Sequence, residues 1–201
     1  MREVVILTMV SLDGVMQAPG GKGEDPSGGF DLEGWTVPYF DEVGGNEMAK
    51  QMGQPFDLLL GRKTYEIFAS YWPHRDSPLN RAKTLNRAKK YVVSNEAIST
   101  DWEETIQIKG NVVAEIEKLK QQDGPVLQVY GSSNLIQTLL ANDLADELWL
   151  KVFPVTLGKG KRLFGEGIIS AAFKLTDSKT SPSGVIIASY RRDGEVKLGS
   201  F

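Results

Sequence analysis

The chain has 201 residues with 26 acidic and 23 basic side chains, one histidine (His74) and no cysteine. With 41% apolar residues this length supports one sizeable core, read as a single domain over residues 1–201. The net charge of −3 gives no broad attraction to nucleic acid or anionic membrane, and without Cys or a second His no disulfide, thiolate chemistry or metal site is expected.

Residues 1–10 form too short an apolar run for a signal peptide, and no apolar stretch of about 18 residues follows to span a bilayer. A cytoplasmic protein without a membrane partner is expected. Val4 to Val10 has the length and composition of a buried strand, and it ends in Ser11-Leu12-Asp13-Gly14. Asp13 has two readings there: half of an ordinary Asp-Gly turn, or a carboxylate free to meet a polar ring or orient a proton donor. The next segment, 17–34, carries glycines at 20, 21, 23, 28, 29 and 34. It is too Gly-rich to pack and too long for a turn, which makes it either a surface loop or a flap over a ligand beside the first strand.

Asp57 to Leu60 predicts a second strand, and Gly61-Arg62-Lys63-Thr64-Tyr65 opens a helix from it. A cation in a first turn opposes the helix dipole, and an anionic ligand would relieve the conflict. Lys90 to Val93 predicts a strand ending at Ser94, after a basic run of Arg75, Arg81, Lys83, Arg87, Lys89 and Lys90 opposed by Asp76 alone. That run is a solvated face or, in part, a surface for a 2′-phosphate.

Val112, Val113, Ile116 and Leu119 recur at helical spacing, as do Leu135, Ile136, Leu139 and Leu140, with Asn111 and Ser133 placed as caps. Between these helices Pro125 to Tyr130 reads as a strand, followed by Gly131-Ser132-Ser133-Asn134. A helix N-terminus there suits a pyrophosphate; alternatively it is a tight strand-to-helix turn. Glu147 to Val155 is a further strand, while Phe173–Lys179 and Val185–Arg191 form an antiparallel pair across Ser181-Pro182-Ser183-Gly184. Alternating strands and helices make this an α/β chain with a mixed, mostly parallel sheet, helices on both faces and an antiparallel C-terminal strand pair. Neither strand-to-helix crossing carries Gly-x-Gly-x-x-Gly, and Gly158-Lys159-Gly160-Lys161-Arg162 lacks P-loop spacing and reads as a solvated turn.

The order of these motifs, together with Asp146-Glu147-Leu148-Trp149-Leu150 and Pro154 to Gly160, resembles the dihydrofolate reductase-like three-layer fold from about Arg2 to Arg192. Within that fold it is similar to the C-terminal reductase domain of the riboflavin-biosynthesis protein RibD. The resemblance implies NADPH-dependent reduction of a small heterocyclic substrate, in that branch a ribosylamino-pyrimidine. Carried over by position, Gly61, Arg62, Lys63 and Thr64 would meet the adenosine and phosphate part of NADPH. Ser94 would meet its 2′-phosphate, and Gly131, Ser132, Ser133 and Asn134 its pyrophosphate. Asp13 would lie near the nicotinamide as the catalytic and substrate-binding carboxylate; Trp35, Tyr39, Phe40 and Trp72 are candidates to line the substrate side or the core.

Two departures stand out. Phe40 occupies the position of the acid that grips a pterin in folate reductases, with Asp41 one residue late, and Ser132 replaces the second of two glycines, a substitution that favours a trans Gly131-Ser132 peptide. The alternatives to a pyrimidine reductase are a pterin reductase and a non-catalytic NADPH-binding module. The resemblance and the apolar segment Leu148 to Leu157, read as a strand near an exposed sheet edge, also imply a homodimer.

Overall fold

The computed structural model describes residues 1–75 and 81–200; Asp76 of the basic run lies outside them. Eight strands join one sheet in the order β4-β3-β2-β5-β1-β6-β8-β7. They are β1 Val4–Ser11, β2 Phe56–Gly61, β3 Lys90–Val93, β4 Thr105–Ile108, β5 Val126–Val129, β6 Glu147–Phe153, β7 Phe173–Thr180 and β8 Ile186–Arg192. From β4 to β6 every pairing is parallel, and β8 runs antiparallel to both β6 and β7. The helices are α1 Glu42–Gln51, α2 Arg62–Tyr71, α3 Arg81–Arg87, α4 Val112–Gln121 and α5 Ser133–Ala141.

Pleating decides which helices lie on which face. Along β2, Leu59 joins a core with Ile116 and Leu119 of α4 and Leu135, Ile136 and Leu139 of α5, whereas Leu58 and Leu60 join a second core with Tyr65 of α2 and Leu85 of α3. Successive side chains of a strand point to opposite faces, so helices cover both sides of this parallel sheet. A third apolar cluster, with Val15, Phe30, Trp35 and Phe153, closes the end where the Gly-rich segment begins.

Three expectations need correction. The segment Leu148–Leu157 supplies no sheet edge, because β6 is flanked by β1 and β8; β4 and β7 are the outer strands. Residues 17–34 do pack. Buried Gln17 donates from Nε2 to the carbonyls of Asp25 and Ser27, both at 2.9 Å, and accepts from Lys161 N at 3.0 Å, while Trp35 Nε1 donates to Gln17 O at 2.8 Å. The 158–162 turn is solvated as expected, with Lys161 half-buried, although a Cβ on Gly160 would lie 2.7 Å from Val15 and 2.9 Å from Phe30. Lys90 is not a solvated cation: it is fully buried, its ammonium donates to Asn86 O at 2.6 Å and Glu103 O at 2.9 Å, and it sits over the Trp102 ring.

Arg2 ties the central strands together at their amino ends. Its Nε donates to Pro125 O at 2.8 Å, its Nη1 to the Tyr91 hydroxyl at 3.3 Å and its Nη2 to Asp57 Oδ2 at 2.5 Å, with the Arg2 side chain 2% exposed. Removing one member of a buried ion pair strands the other. Asp57→Ala should therefore destabilise the chain by about 3 kcal/mol or more, read from urea unfolding midpoints; a change within experimental error would show that Pro125 and Tyr91 suffice for the guanidinium.

Candidate cofactor and substrate site

Helices α2 and α5 leave the carboxyl ends of neighbouring strands, and their first turns meet. Gly61 N donates to Gly131 O at 3.0 Å. A Cβ on Gly61 would collide with the Ser132 side chain, and one on Gly131, whose φ is +150°, would lie 2.6 Å from Thr64 Oγ1. Glycine at both positions is what lets two helix starts approach this closely. Neither N-cap, Gly61 or Ser132, makes a side-chain capping hydrogen bond, so both starts offer backbone N–H groups and the positive ends of their dipoles to one place.

The Gly131-Ser132 peptide is cis, contrary to the trans bond expected from the serine; the space above Gly61 is what admits the Ser132 side chain. Ser133 is the first helical residue rather than the cap, whereas Asn111 does cap α4 by accepting from Ala114 N at 3.2 Å.

Beside this junction, along the carboxyl ends of the parallel strands, lies a cavity of about 670 Å³, where open α/β sheets bind ligands. Gly61, Arg62, Lys63, Thr64, Ser94, Gly131, Ser132, Ser133 and Asn134 all border it, brought together from three segments. Arg62 does not await an anion alone. Its guanidinium reaches Glu66 at 3.1 Å and Glu96 at 3.3 Å, and the hydrogen bond to Glu66 holds its proton more tightly than usual. The Ser94 hydroxyl is turned to Glu96, donating to its carbonyl at 2.9 Å and accepting from its N–H at 3.1 Å.

The structure does not bring Asp13, Trp35, Tyr39 or Phe40 to this cavity. Asp13 lies past the end of β1 and anchors a distant loop: Ser11 Oγ donates to it at 2.6 Å, Leu157 N at 3.0 Å and Gly158 N at 2.8 Å. The Ser11 hydroxyl, aided by those two N–H groups, holds the carboxyl down at about 2. Its oxygens are committed to the fold. Trp35 and Tyr39 pack edge-on against Phe153 in the third apolar cluster, and Phe40 is exposed; of the aromatic candidates Trp72 borders the cavity. Asp41 is the N-cap of α1, accepting from Gly44 N at 2.9 Å and Ser183 N at 3.1 Å, with the Gly44 bond the main reason its carboxyl sits near 2.

Other residues take their place. Leu7, Met9 and Met16, with Met48 and Met52 near α1, give the cavity an apolar wall. Glu24 lies at its margin, its carboxylate accepting from Gly20 N at 2.5 Å, and burial raises its pKa. Lys161 borders the cavity with Asp25, its partner at 2.5 Å. Lys151 of β6 enters from the sheet, 5% exposed, donating to Gln51 Oε1 at 2.9 Å. Burial pushes its ammonium down to about 8, against a partial upward pull from Glu47. A single charge inside Leu148-Trp149-Leu150-Lys151-Val152-Phe153 was the sequence signal for it.

The model of the RibD C-terminal domain family matches residues 2–187. The uncharacterized protein YyaP of Bacillus subtilis is 29% identical over 196 residues, covering 96% of each chain. Among solved structures, a protein assigned to riboflavin biosynthesis from Shewanella sp. PV-4 superposes with a TM-score of 0.65 at 23% identity, covering 95% of this chain and 99% of that one. Dihydrofolate reductase from Enterococcus faecalis, complexed with NADP(H), superposes with a TM-score of 0.58 at 14% identity, covering 95% and 96%. These structural likenesses establish the dihydrofolate reductase-like fold.

Keeping a lysine dry has a measurable consequence. A folded-state value near 8 against an ordinary 10.5 corresponds to about 3 kcal/mol of charge burial at neutral pH. The unfolded chain holds this proton through the window from about 8 to 10.5 while the folded chain releases it, so the penalty is full below that window and fades across it. Lys151→Met should therefore be more stable than the wild type at neutral pH, with the gap narrowing as pH rises through the window. Urea titrations of both chains across it check this; parallel curves would contradict a desolvated ammonium.

Proposed function

The chain belongs to the RibD C-terminal domain family, and we propose that it is a cytoplasmic, NADPH-dependent reductase of a small heterocyclic substrate, similar to the enzyme that reduces the ribosylamino-pyrimidine of riboflavin biosynthesis. The observation that carries this reading is the junction of two uncapped helix starts at Gly61 and Gly131, opening on a cavity of about 670 Å³. A dinucleotide needs both parts: convergent N–H groups for its pyrophosphate and an apolar recess for its ring. Gly131, Ser132, Ser133 and Asn134 would hold the pyrophosphate; Arg62, Lys63 and Thr64 the adenosine and phosphate portion; and Ser94 the 2′-phosphate. The cofactor would supply the hydride, and the chain orientation and exclusion of water. Pterin reduction has less support, since α1 contributes Met48 to the cavity while Asp41 caps its start.

Coenzyme choice is the sharpest test. Arg62 and Lys63 favour a 2′-phosphate, and Glu96, 3.3 Å from Arg62, opposes it. Fluorescence titration should show tighter binding of NADPH than of NADH. Arg62→Ala should weaken NADPH by about 1.5–3 kcal/mol, and Glu96→Gln should strengthen NADPH relative to NADH by removing a like charge. Equal affinities in the wild type and in both variants would remove the assigned phosphate site.

A homodimer is proposed across the outer strand β7, which is exposed over residues 174–180. Strands exposed in this way are commonly covered by a partner. Light scattering should return twice the chain mass of 22.1 kDa; a monomer across a wide concentration range would end the proposal.

A further inference from the structure

We propose that Lys151 sets the substrate class: its ammonium binds an oxo or enolate oxygen of a planar heterocycle seated against the methionine wall, so the site selects oxygen-edged rings and rejects amino-edged ones. This rests on the reading that a substrate shares the cavity with a dinucleotide.

The argument begins with an unusual placement. Lys151 is paired in register with Met9 of β1 and Ile187 of β8, and both neighbours are apolar. A lysine in such surroundings destabilises the fold unless its head is used. Its Nζ carries three donors and, among the described residues, makes one hydrogen bond, to Gln51 Oε1 at 2.9 Å, while the side chain borders the cavity. Gln51 is held at its backbone, where its main-chain carbonyl accepts from Gln128 Nε2 at 2.8 Å, and Gln128 Oε1 accepts from the hydroxyl of half-buried Tyr130 at 2.8 Å. The head group is therefore met by an amide oxygen on an anchored stretch of backbone rather than paired with a carboxylate.

The nearby acid is occupied elsewhere. Glu47 of α1 pulls on Lys151 through space, but its Oε1 accepts from Lys179 Nζ at 2.5 Å and its Oε2 lies 3.8 Å from Lys50 Nζ, which also reaches Asp177 at 3.4 Å. Glu24, Asp25 and Lys161 border the same cavity, the last two paired with each other. Glu24 Oε2 accepts from the N–H groups of Gly20 and Gly21, and an ammonium, which donates and cannot accept, complements a ring oxygen and opposes a ring amino group. The complementary ligand carries acceptor oxygens, preferably with negative charge.

The test uses two small probes on the cofactor-free chain, so that its outcome does not depend on NADPH binding: barbiturate, a planar oxopyrimidine anion, and 2,4-diaminopyrimidine. Calorimetry should show barbiturate binding to the wild type, weakened about tenfold or more in Lys151→Met and in Lys151→Gln. Wild-type affinity for barbiturate should fall as pH rises above about 8, a dependence lost in both variants, and 2,4-diaminopyrimidine should bind more weakly than barbiturate throughout. Wild-type pH dependence keeps the test alive if a variant fails to fold. Barbiturate binding that is absent, insensitive to Lys151 or flat with pH would overturn the proposal, as would tighter binding of the diamino probe. Failure of NADPH to bind in the preceding titration would instead count against the reductase reading alone.

Discussion

Two helices begin within hydrogen-bonding distance of each other because neither Gly61 nor Gly131 carries a Cβ, and the site depends on that steric constraint. Helix starts repel through their like dipole ends and through the bulk of their first side chains. Here the backbone bond from Gly61 to Gly131 at 3.0 Å joins them, and Ser132 fills the space above Gly61. Their spare N–H groups then converge on one point, which is also where β2 and β5 end and the cavity begins. Strand order, helix placement and the position of the recess meet at these two residues.

The opposite wall is built on another principle, long-range hydrogen bonds that fasten loops to the sheet. Asp13 receives the N–H groups of Leu157 and Gly158, Gln17 receives that of Lys161, and Trp35 reaches back to Gln17. Each bond satisfies a buried or half-buried polar group that would otherwise be left unpaired. The bonds at Gln17 fold the Gly-rich segment against the sheet, where its Glu24 and Asp25 border the cavity. The charged residues of the cavity divide accordingly: Arg62 and Lys63 stand at the helix junction, and Lys151 stands apart against methionines.

Sequence patterns found the parts of the fold that have strong local signals. The apolar runs of β1, β2, β5 and β6 and the turn at 181–184 stand where expected, within a residue or two, and α4 and α5 follow their apolar spacing. Weak local signals were passed over. Helix α1 holds Gly44 and Gly45 and draws its stability from the Asp41 cap and its packing, α3 is one short stretch of seven residues, and β4 is a four-residue strand paired with β3 alone. These elements exist because neighbours cover them, which no window of sequence displays.

The chain by itself determined seven of the eight strands, helices α2, α4 and α5, and the set of glycines and first-turn residues at the helix junction, because strand-to-helix crossings are written in adjacent residues. Tertiary structure alone decided which side chains complete the site. Asp13, after its strand either a turn residue or a free carboxylate, finds partners 144 and 145 residues away, and Trp35 and Tyr39 turn inward to Phe153. Lys151, one charge in an apolar strand that the sequence did not single out, is enclosed by β1, β8 and α1. The physical reason is the same each time: a polar atom is available for chemistry only if packing leaves it without a nearer partner, and that is settled by segments far apart in the chain.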